Sequence, residues 1–115
     1  MIRLDALTSR IREFNEARDW AQFHNPKDLS LSLVLEATEV MEHFQWKNAE
    51  AMAEHLKNHA EDIGDELADV LYWVLYMGDR FGIDVLAALD RKMDKNEAKY
   101  PVEKAKGSSK KYTEL

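Results

Sequence analysis

Two pairs of acidic residues stand in stretches of the chain that are otherwise apolar. Glu36 and Glu39 form the first pair, and Glu66 and Asp69 form the second, with two residues between the members of each pair. Residues at this spacing share one face of an α-helix, so the pattern predicts two helices that each present two carboxylates together. Carboxylates near a core repel one another and lose hydration unless a cation neutralises them. The pattern therefore favours a fold that brings these helices side by side around a divalent metal, which prefers oxygen ligands.

The remaining sequence is helical in character. Four glycines and two prolines in 115 residues leave little turn chemistry for a β-rich fold. Apolar periodicity and helix-stop signals predict an all-α domain built as a four-helix bundle. The predicted helices cover about residues 5–19, a stretch from a cap at Asp28 or Ser30 to Trp46, residues 49–81 with room for an interruption at 57–59, and a stretch after a cap at Asp84 to Lys99. Gly82 ends the third helix and Pro101 the fourth, so we expect a domain at 1–100 and an extended or flexible basic tail at 101–115.

Composition excludes several classes of protein. The net charge of −6 argues against a general nucleic-acid binder, whose affinity would come from basic residues on phosphates. The absence of cysteine excludes disulfides and thiolate metal sites. No apolar run approaches the roughly 18 residues needed to cross a bilayer, and the first residues lack the apolar core of a secretory signal. We expect a cytoplasmic protein that binds neither membrane nor nucleic acid.

One segment also predicts self-association. Residues 70–77 are apolar nearly all round, which implies burial on every side of the helix. A bundle of this length leaves one face of each helix exposed, so we expect a homo-oligomer with this segment near the interface. An isologous dimer is the commonest arrangement, and a tetramer stays open.

Each acid pair continues along its helix into ring side chains, His43 and Trp46 on one and Trp73 and Tyr76 on the other. Antiparallel packing would place the acids at one level with rings above and below, which suits a ligand with anionic oxygens and a flat base. Tryptophan and tyrosine at helical spacing are also common as plain core residues, and a lone histidine such as His43 is commonly structural. Carboxylates alone favour Mg²⁺, with Mn²⁺ as a substitute, and no Glu-x-x-His pair of the di-iron bundles is present.

The sequence resembles the MazG-like nucleoside triphosphate pyrophosphohydrolases, and within them the branch that includes dCTP pyrophosphatase. The family motif of two acids three apart, then Glu-x-x-Asp, matches residues 36–39 and 66–69. The segment Arg18-Asp19-Trp20-Ala21-Gln22-Phe23-His24, the helix end Phe44-Gln45-Trp46 and the last helix around Lys92 and Asn96 also resemble this branch. Family members often carry a second acid beside the first, where this chain has Leu35 and Ala37.

The resemblance implies hydrolysis of a nucleoside triphosphate, dCTP or a related pyrimidine deoxynucleotide first, to the monophosphate and pyrophosphate. It assigns Mg²⁺ to the four acids, and it implies dimers or tetramers. It places six residues near the base, sugar or phosphates: Trp20, His24, Trp46, Trp73, Lys92 and Asn96.

The expected mechanism uses Glu36 or Glu39 to orient or deprotonate a water that attacks in line, most simply at the α-phosphorus. No Gly-rich phosphate loop or cysteine nucleophile offers a different route. Two alternatives stay open: a metal-dependent phosphohydrolase of another nucleotide derivative, and a non-catalytic helical protein whose acids bind a basic partner.

Overall fold

The computed structural model describes all 115 residues and contains helices but no strands. It divides into two compact units, Met1–Gly82 and Ile83–Leu115. The first unit holds four helices: α1 (Leu4–Ala17), α2 (Pro26–Glu42), α3 (Ala49–Asn58) and α4 (Ala60–Phe81). The second holds α5 (Val85–Lys99) and the short α6 (Val102–Ala105). Single 3₁₀ turns occur at Ala21–Phe23 and Tyr112–Glu114. None of these helices is both long and apolar enough to span a bilayer.

The all-α prediction is confirmed, but the helix count differs. The predicted stretch at 49–81 is interrupted within the range 57–59 that the sequence allowed, because His59 leaves helical geometry with φ −127° and ψ 27° and so separates α3 from α4. Five helices of ten residues or more therefore replace the predicted four. After α4, Gly82 adopts the left-handed conformation with φ 68°, which glycine tolerates, so the predicted end of this helix is confirmed.

Helix caps explain where three helices begin. The side chain of Asn25 accepts a hydrogen bond from the backbone N–H of Asp28 at 2.9 Å, and Pro26 occupies the first helical position. The predicted cap at Asp28 or Ser30 is therefore wrong, because proline at the first position needs no N–H partner and starts the helix earlier. Asn48 caps α3 in the same way, and Asp84 caps α5 as predicted.

Helix α4 is the centre of the first unit, since α1, α2 and α3 all pack against it. Leu29, Ile63, Leu75 and Tyr76 form the buried apolar core. Arg12 on α1 pairs with Asp79 on α4, donating from Nε at 2.9 Å, and this guanidinium lowers the pKa of Asp79 below its ordinary value. The core is small, and several large apolar side chains of α2 and α4 remain exposed: Leu31, Val34, Leu35, Met41, Leu67 and Leu71.

The second unit carries more local structure than the extended tail that the sequence predicts. After Pro101 the chain forms α6 and then a 3₁₀ turn. In that turn the ring of Tyr112 lies edge-on to Tyr100 at 6.0 Å between centroids. The ammonium of Lys99 lies 4.7 Å from the centre of the Tyr112 ring, a cation–π contact that holds the turn against the end of α5.

Candidate metal centre

Helices α2 and α4 bring both predicted acid pairs to one place. One carboxylate oxygen from each of Glu36, Glu39, Glu66 and Asp69 lies within 4.8 Å of the other three. We call these four residues the acid cluster. Glu39 of α2 faces Glu66 early in α4, whereas His24, just before α2, contacts Tyr76 late in α4. The two helices therefore run antiparallel, the arrangement in which the sequence pattern would place the acids at one level.

The acid cluster is electrostatically uncompensated within the protein. None of the ion pairs in the structure involves any of its four carboxylates. The Oε2 atom of Glu36 is buried and has no hydrogen-bond partner, which is uncommon for a buried polar atom. Glu36 and Glu66 are half-buried, and Glu39 and Asp69 are exposed, so the cluster opens toward solvent on one side.

The close packing of these acids raises the pKa of two members of the cluster. The pKa of Glu66 rises to about 7, first because the neighbouring Glu39 carboxyl can share its proton, then because of burial and the other negative charges. Burial is the main cause that raises the pKa of Glu36, followed by the charges of Glu39 and Asp69, while a hydrogen bond from Trp73 acts in the opposite direction. Both shifts favour the protonated form, as expected for carboxyls that are partly buried and close to one another.

On one side of the acid cluster lies what we call the aromatic wall, made of His24, Trp73 and Tyr76. The Trp73 ring stands edge-on to His24 at 5.9 Å, and Tyr76 stands edge-on to His24 at 5.1 Å. The Tyr76 hydroxyl lies 2.8 Å from Nδ1 of His24. Arg80 of α4 also donates to the backbone carbonyl of His24 at 3.2 Å, which ties the segment before α2 to α4.

On the other side of the acid cluster lies an open pocket of about 260 Å³. Its lining combines Glu39 and Glu66 of the cluster with Glu42, His43 and His55. Nδ1 of His43 and Nε2 of His55 lie 2.8 Å apart, so one ring donates a hydrogen bond to the other. Burial and then the neighbouring His59 lower the pKa of His55, which favours its neutral form.

Sequence reasoning included His43 in a helical stripe but missed His55. The available signal was the pair His55 and His59, which stand four residues apart on one predicted helix face and stack at 4.4 Å between ring centroids. The hydrogen bond that Asn15 donates to Tyr72 and the one between His24 and Tyr76 were also missed, because each joins residues far apart in the chain.

One predicted binding residue, Trp46, lies beyond the end of the helix that carries Glu36 and Glu39. Helix α2 ends at Glu42 rather than at Trp46, and Trp46 has φ 67° and an exposed fraction of 94%. The prediction that Trp46 continues the α2 stripe is therefore wrong, because a turn carries it away from the helix face. Trp20 lies edge-on to Phe14 at 5.6 Å, near the end of α1.

Lys92 and Asn96 both lie on α5, in the second unit. Lys92 lines a surface pocket of about 420 Å³ with Arg91 and Lys95, so this face of α5 concentrates positive charge. The amide nitrogen of Asn96 lies 3.9 Å from the sulfur of Met93. A basic face of this kind suits a phosphate-bearing ligand.

Comparison with known proteins decides the family. A sequence model of the MazG-like family matches residues 31–115, which include the whole acid cluster. The chain belongs to the MazG-like family. This confirms the resemblance on which the expectations of fold and activity depend.

Several relatives of this MazG-like chain are named dCTP pyrophosphatase 1. The chain is 43% identical over 106 residues to the protein of Rattus norvegicus and 41% identical over 105 residues to that of Homo sapiens. Both alignments cover 90% of the chain, and the chain spans 62% of the length of these relatives. A crystal structure of a pyrophosphatase from Archaeoglobus fulgidus superposes with a TM-score of 0.81 at 36% identity. That superposition covers 88% of this chain and 94% of the archaeal one.

Proposed function

We propose that this MazG-like chain is a Mg²⁺-dependent nucleoside triphosphate pyrophosphohydrolase. Its reaction would convert a (deoxy)nucleoside triphosphate and water to the monophosphate and pyrophosphate. The observation that carries the proposal is the convergence of four carboxylates from α2 and α4 without a basic partner. Family membership and relatives named dCTP pyrophosphatase supply the reaction class, and they make dCTP or a related pyrimidine deoxynucleotide the first substrate to test.

The acid cluster fits a hard divalent cation. All four donors are carboxylate oxygens, the ligand type that Mg²⁺ and Mn²⁺ prefer. A cation would also satisfy the buried Oε2 of Glu36 and offset the negative charge of the four carboxylates, whose sharing of a proton between Glu39 and Glu66 is the first cause that raises the pKa of Glu66 to about 7. We therefore assign Mg²⁺ to Glu36, Glu39, Glu66 and Asp69, with Mn²⁺ as a substitute. When bound, Mg²⁺ supplies charge neutralisation for the phosphate oxygens and lowers the pKa of water.

The protein itself must accept a proton from the attacking water. We assign this role to Glu36 first, because it is the half-buried acid of α2 and lies next to Trp73 of the aromatic wall. Glu39 is the second candidate, since it is exposed and faces Glu66. In-line attack at the α-phosphorus then breaks the bond to the bridging oxygen, and pyrophosphate leaves.

The aromatic wall would hold the base. Trp73 is close enough to hydrogen-bond Glu36 and also packs edge-on to His24, so it joins the wall to the acids. Stacking of a base on an aromatic ring adds binding free energy without depending strongly on base identity. Trp20, Trp46, Lys92 and Asn96 remain substrate-binding residues by their resemblance to the family.

Self-association and location stay predictions as well. Exposed apolar side chains on α2, among them Val34 at 59% and Leu35 at 64%, favour a homodimer or homotetramer. Leu75 and Tyr76 of the apolar segment at 70–77 are already buried inside the single chain. We therefore move the expected interface toward α2 and Leu71, and we retain a cytoplasmic location.

The test is a panel of nucleoside and deoxynucleoside triphosphates, assayed for phosphate release with and without added inorganic pyrophosphatase. The proposal predicts phosphate only when the auxiliary enzyme is present, because the direct product is pyrophosphate. It also predicts loss of product when EDTA replaces Mg²⁺. Phosphate released without the auxiliary enzyme would indicate a different phosphohydrolase, and no product from any nucleotide would favour the non-catalytic interaction protein.

A further inference from the structure

The hydroxyl of Tyr76 is buried and has a single hydrogen-bond partner. Tyr76 is only 1% exposed, and its hydroxyl oxygen lies 2.8 Å from Nδ1 of His24. Either group could donate in such a contact, because a neutral imidazole carries its proton on one nitrogen or the other. The direction of this hydrogen bond therefore decides which nitrogen of His24 is protonated.

The hydroxyl proton of Tyr76 has one acceptor within reach. No other hydrogen bond of the structure involves this hydroxyl, so its proton is satisfied only if Nδ1 of His24 accepts it. If Nδ1 carried the imidazole proton instead, the buried phenol proton would have no acceptor, which native structures avoid. Both groups also stay neutral, since burial raises the pKa of Tyr76 and burial, with Arg80, lowers the pKa of His24.

We propose that Tyr76 is a positioning residue that fixes His24 in the tautomer with its proton on Nε2. Tyr76 donates to Nδ1, and Nε2–H is left as a donor with no partner in the protein. The edge-on contact of Trp73 at 88° between ring planes holds the orientation of the imidazole. The aromatic wall thus presents one hydrogen-bond donor of fixed direction.

This arrangement predicts which feature of the substrate the aromatic wall recognises, and that step rests on the proposed function. A fixed donor pairs with an acceptor on the base, either a ring carbonyl oxygen or an unprotonated ring nitrogen. Pyrimidine bases offer such an acceptor at the carbonyl next to the sugar-bearing nitrogen. A site with a fixed donor binds less well any base that turns an N–H toward it, because two donors then meet.

The chain provides a matched control for Tyr76 one helical turn earlier. Tyr72 also stands on α4, and its hydroxyl accepts a hydrogen bond from Nδ2 of the buried Asn15 at 2.8 Å. It makes no hydrogen bond to His24. Tyr72→Phe removes the same atom from the same helix, so it reproduces the loss of a part-buried phenol without touching the His24 contact.

The first measurement is the tautomer of His24 in the substrate-free protein, by long-range ¹H–¹⁵N NMR of the imidazole at neutral pH. We expect Nδ1 to show a pyridine-type shift and Nε2 a pyrrole-type shift. Tyr76→Phe should replace this single form by a mixture, and Tyr72→Phe should leave it unchanged. A pyrrole-type Nδ1 in the natural protein, or an unchanged tautomer in Tyr76→Phe, overturns the proposal.

The second measurement is a double-mutant cycle on the Mg²⁺ enzyme with dCTP. Tyr76→Phe should raise KM about three- to tenfold, the effect of one ordinary hydrogen bond, and change kcat less than about twofold. In the His24→Ala background, Tyr76→Phe should raise KM no further, because its effect passes through His24. An equal rise in both backgrounds would show that Tyr76 acts through the fold alone and would overturn the proposal.

The two measurements separate this inference from the proposed function. If dCTP and every other nucleotide prove inert, the proposed function fails while the NMR result still decides the tautomer. If turnover is normal but Nδ1 is protonated, the tautomer inference fails and the proposed function stands.

Discussion

The two sides of the candidate site are built in opposite ways. The aromatic wall is held in place by contacts within the protein, since His24 and Tyr76 share a hydrogen bond of 2.8 Å and Trp73 packs against the imidazole, and only Nε2 of His24 is left without a partner. The acid cluster is left unsatisfied, with four carboxylates converging and one buried oxygen of Glu36 without a partner. Folding therefore fixes the orientation of the surface that would recognise a base, whereas the four converging carboxylates depend on a cation to balance their charge.

The largest effect should follow from neutralising a single member of the acid cluster. Glu39→Gln and Asp69→Asn each remove a charged ligand, so we expect kcat/KM to fall at least about a hundredfold, more than the usual loss for residues that only support a ligand. The measurement is pyrophosphate release from dCTP at saturating Mg²⁺, with circular dichroism to confirm the fold. Glu61→Gln on the exposed face of α4 is the matched control. Near-normal turnover in Asp69→Asn would contradict the assignment.

Mg²⁺ should stabilise the protein in the absence of nucleotide. A cation that binds only the folded state at a hundred times its Kd adds about 2.7 kcal/mol to the free energy of unfolding. We expect a rise in Tm with Mg²⁺ that is lost in Glu39→Gln and kept in Glu61→Gln. An equal rise in all three proteins would mean that Mg²⁺ binds elsewhere, and no rise in any would favour the non-catalytic interpretation.

Substitutions in the aromatic wall should affect substrate binding more than the rate of the chemical step. Trp73→Ala should weaken substrate binding by about 1–3 kcal/mol if the ring stacks on a base. It should raise KM more than it lowers kcat. Trp73→Phe keeps a ring and should lose less. Both variants need a thermal melt alongside the kinetics. If Trp73→Ala unfolds the protein, the ring is a core residue, as the sequence alone equally allowed.

The metal-free protein should lose stability as pH rises between about 4.5 and about 7. The folded-state pKa of Glu66 is about 7 against an ordinary value of 4.5, so the folded state holds this proton more tightly than the unfolded state does. The contribution is present at low pH and is lost as Glu66 ionises beside Glu36, Glu39 and Asp69. The lowered pKa values of His24 and His55 act in the opposite sense, so the comparison with Glu66→Gln isolates this group.

The readout is the urea-unfolding free energy in EDTA at several pH values. The fall should be shallower in Glu66→Gln and should disappear when Mg²⁺ replaces EDTA. Equal pH dependence in Glu66→Gln and the natural protein would show that the acid cluster carries no repulsion.

The smallest effect is expected at Gly64, in the interior of α4 near the acid cluster. A Cβ added there would meet no atom within 4 Å, and glycine inside a helix costs about 1 kcal/mol relative to alanine. Gly64→Ala should therefore raise the free energy of unfolding by up to about 1 kcal/mol with activity unchanged. A loss of stability or of oligomer would place this position in a contact between copies of the chain.

The spacing of acidic residues along the sequence predicted the acid cluster, whereas it did not predict contacts between residues far apart in the chain. The spacing of Glu36 and Glu39, and of Glu66 and Asp69, fixes each pair on a helix face, and the structure brings the two pairs together as predicted. The hydrogen bond between His24 and Tyr76 joins residues 52 apart in the chain, and no periodicity encodes such a contact. The turn that carries Trp46 away from α2 contains neither glycine nor proline, so no stop signal marked the early helix end.

Arg80 on α4 fixes the backbone of the segment before α2. Its guanidinium donates to the backbone carbonyl of His24 at 3.2 Å and reaches that of Ala21 at 3.5 Å. These bonds anchor the 3₁₀ turn to the longest helix, so the loss of backbone freedom in this segment occurs during folding rather than on ligand capture. An incoming nucleotide would therefore meet a preorganised surface here, and its binding would not carry the entropy cost of ordering this segment.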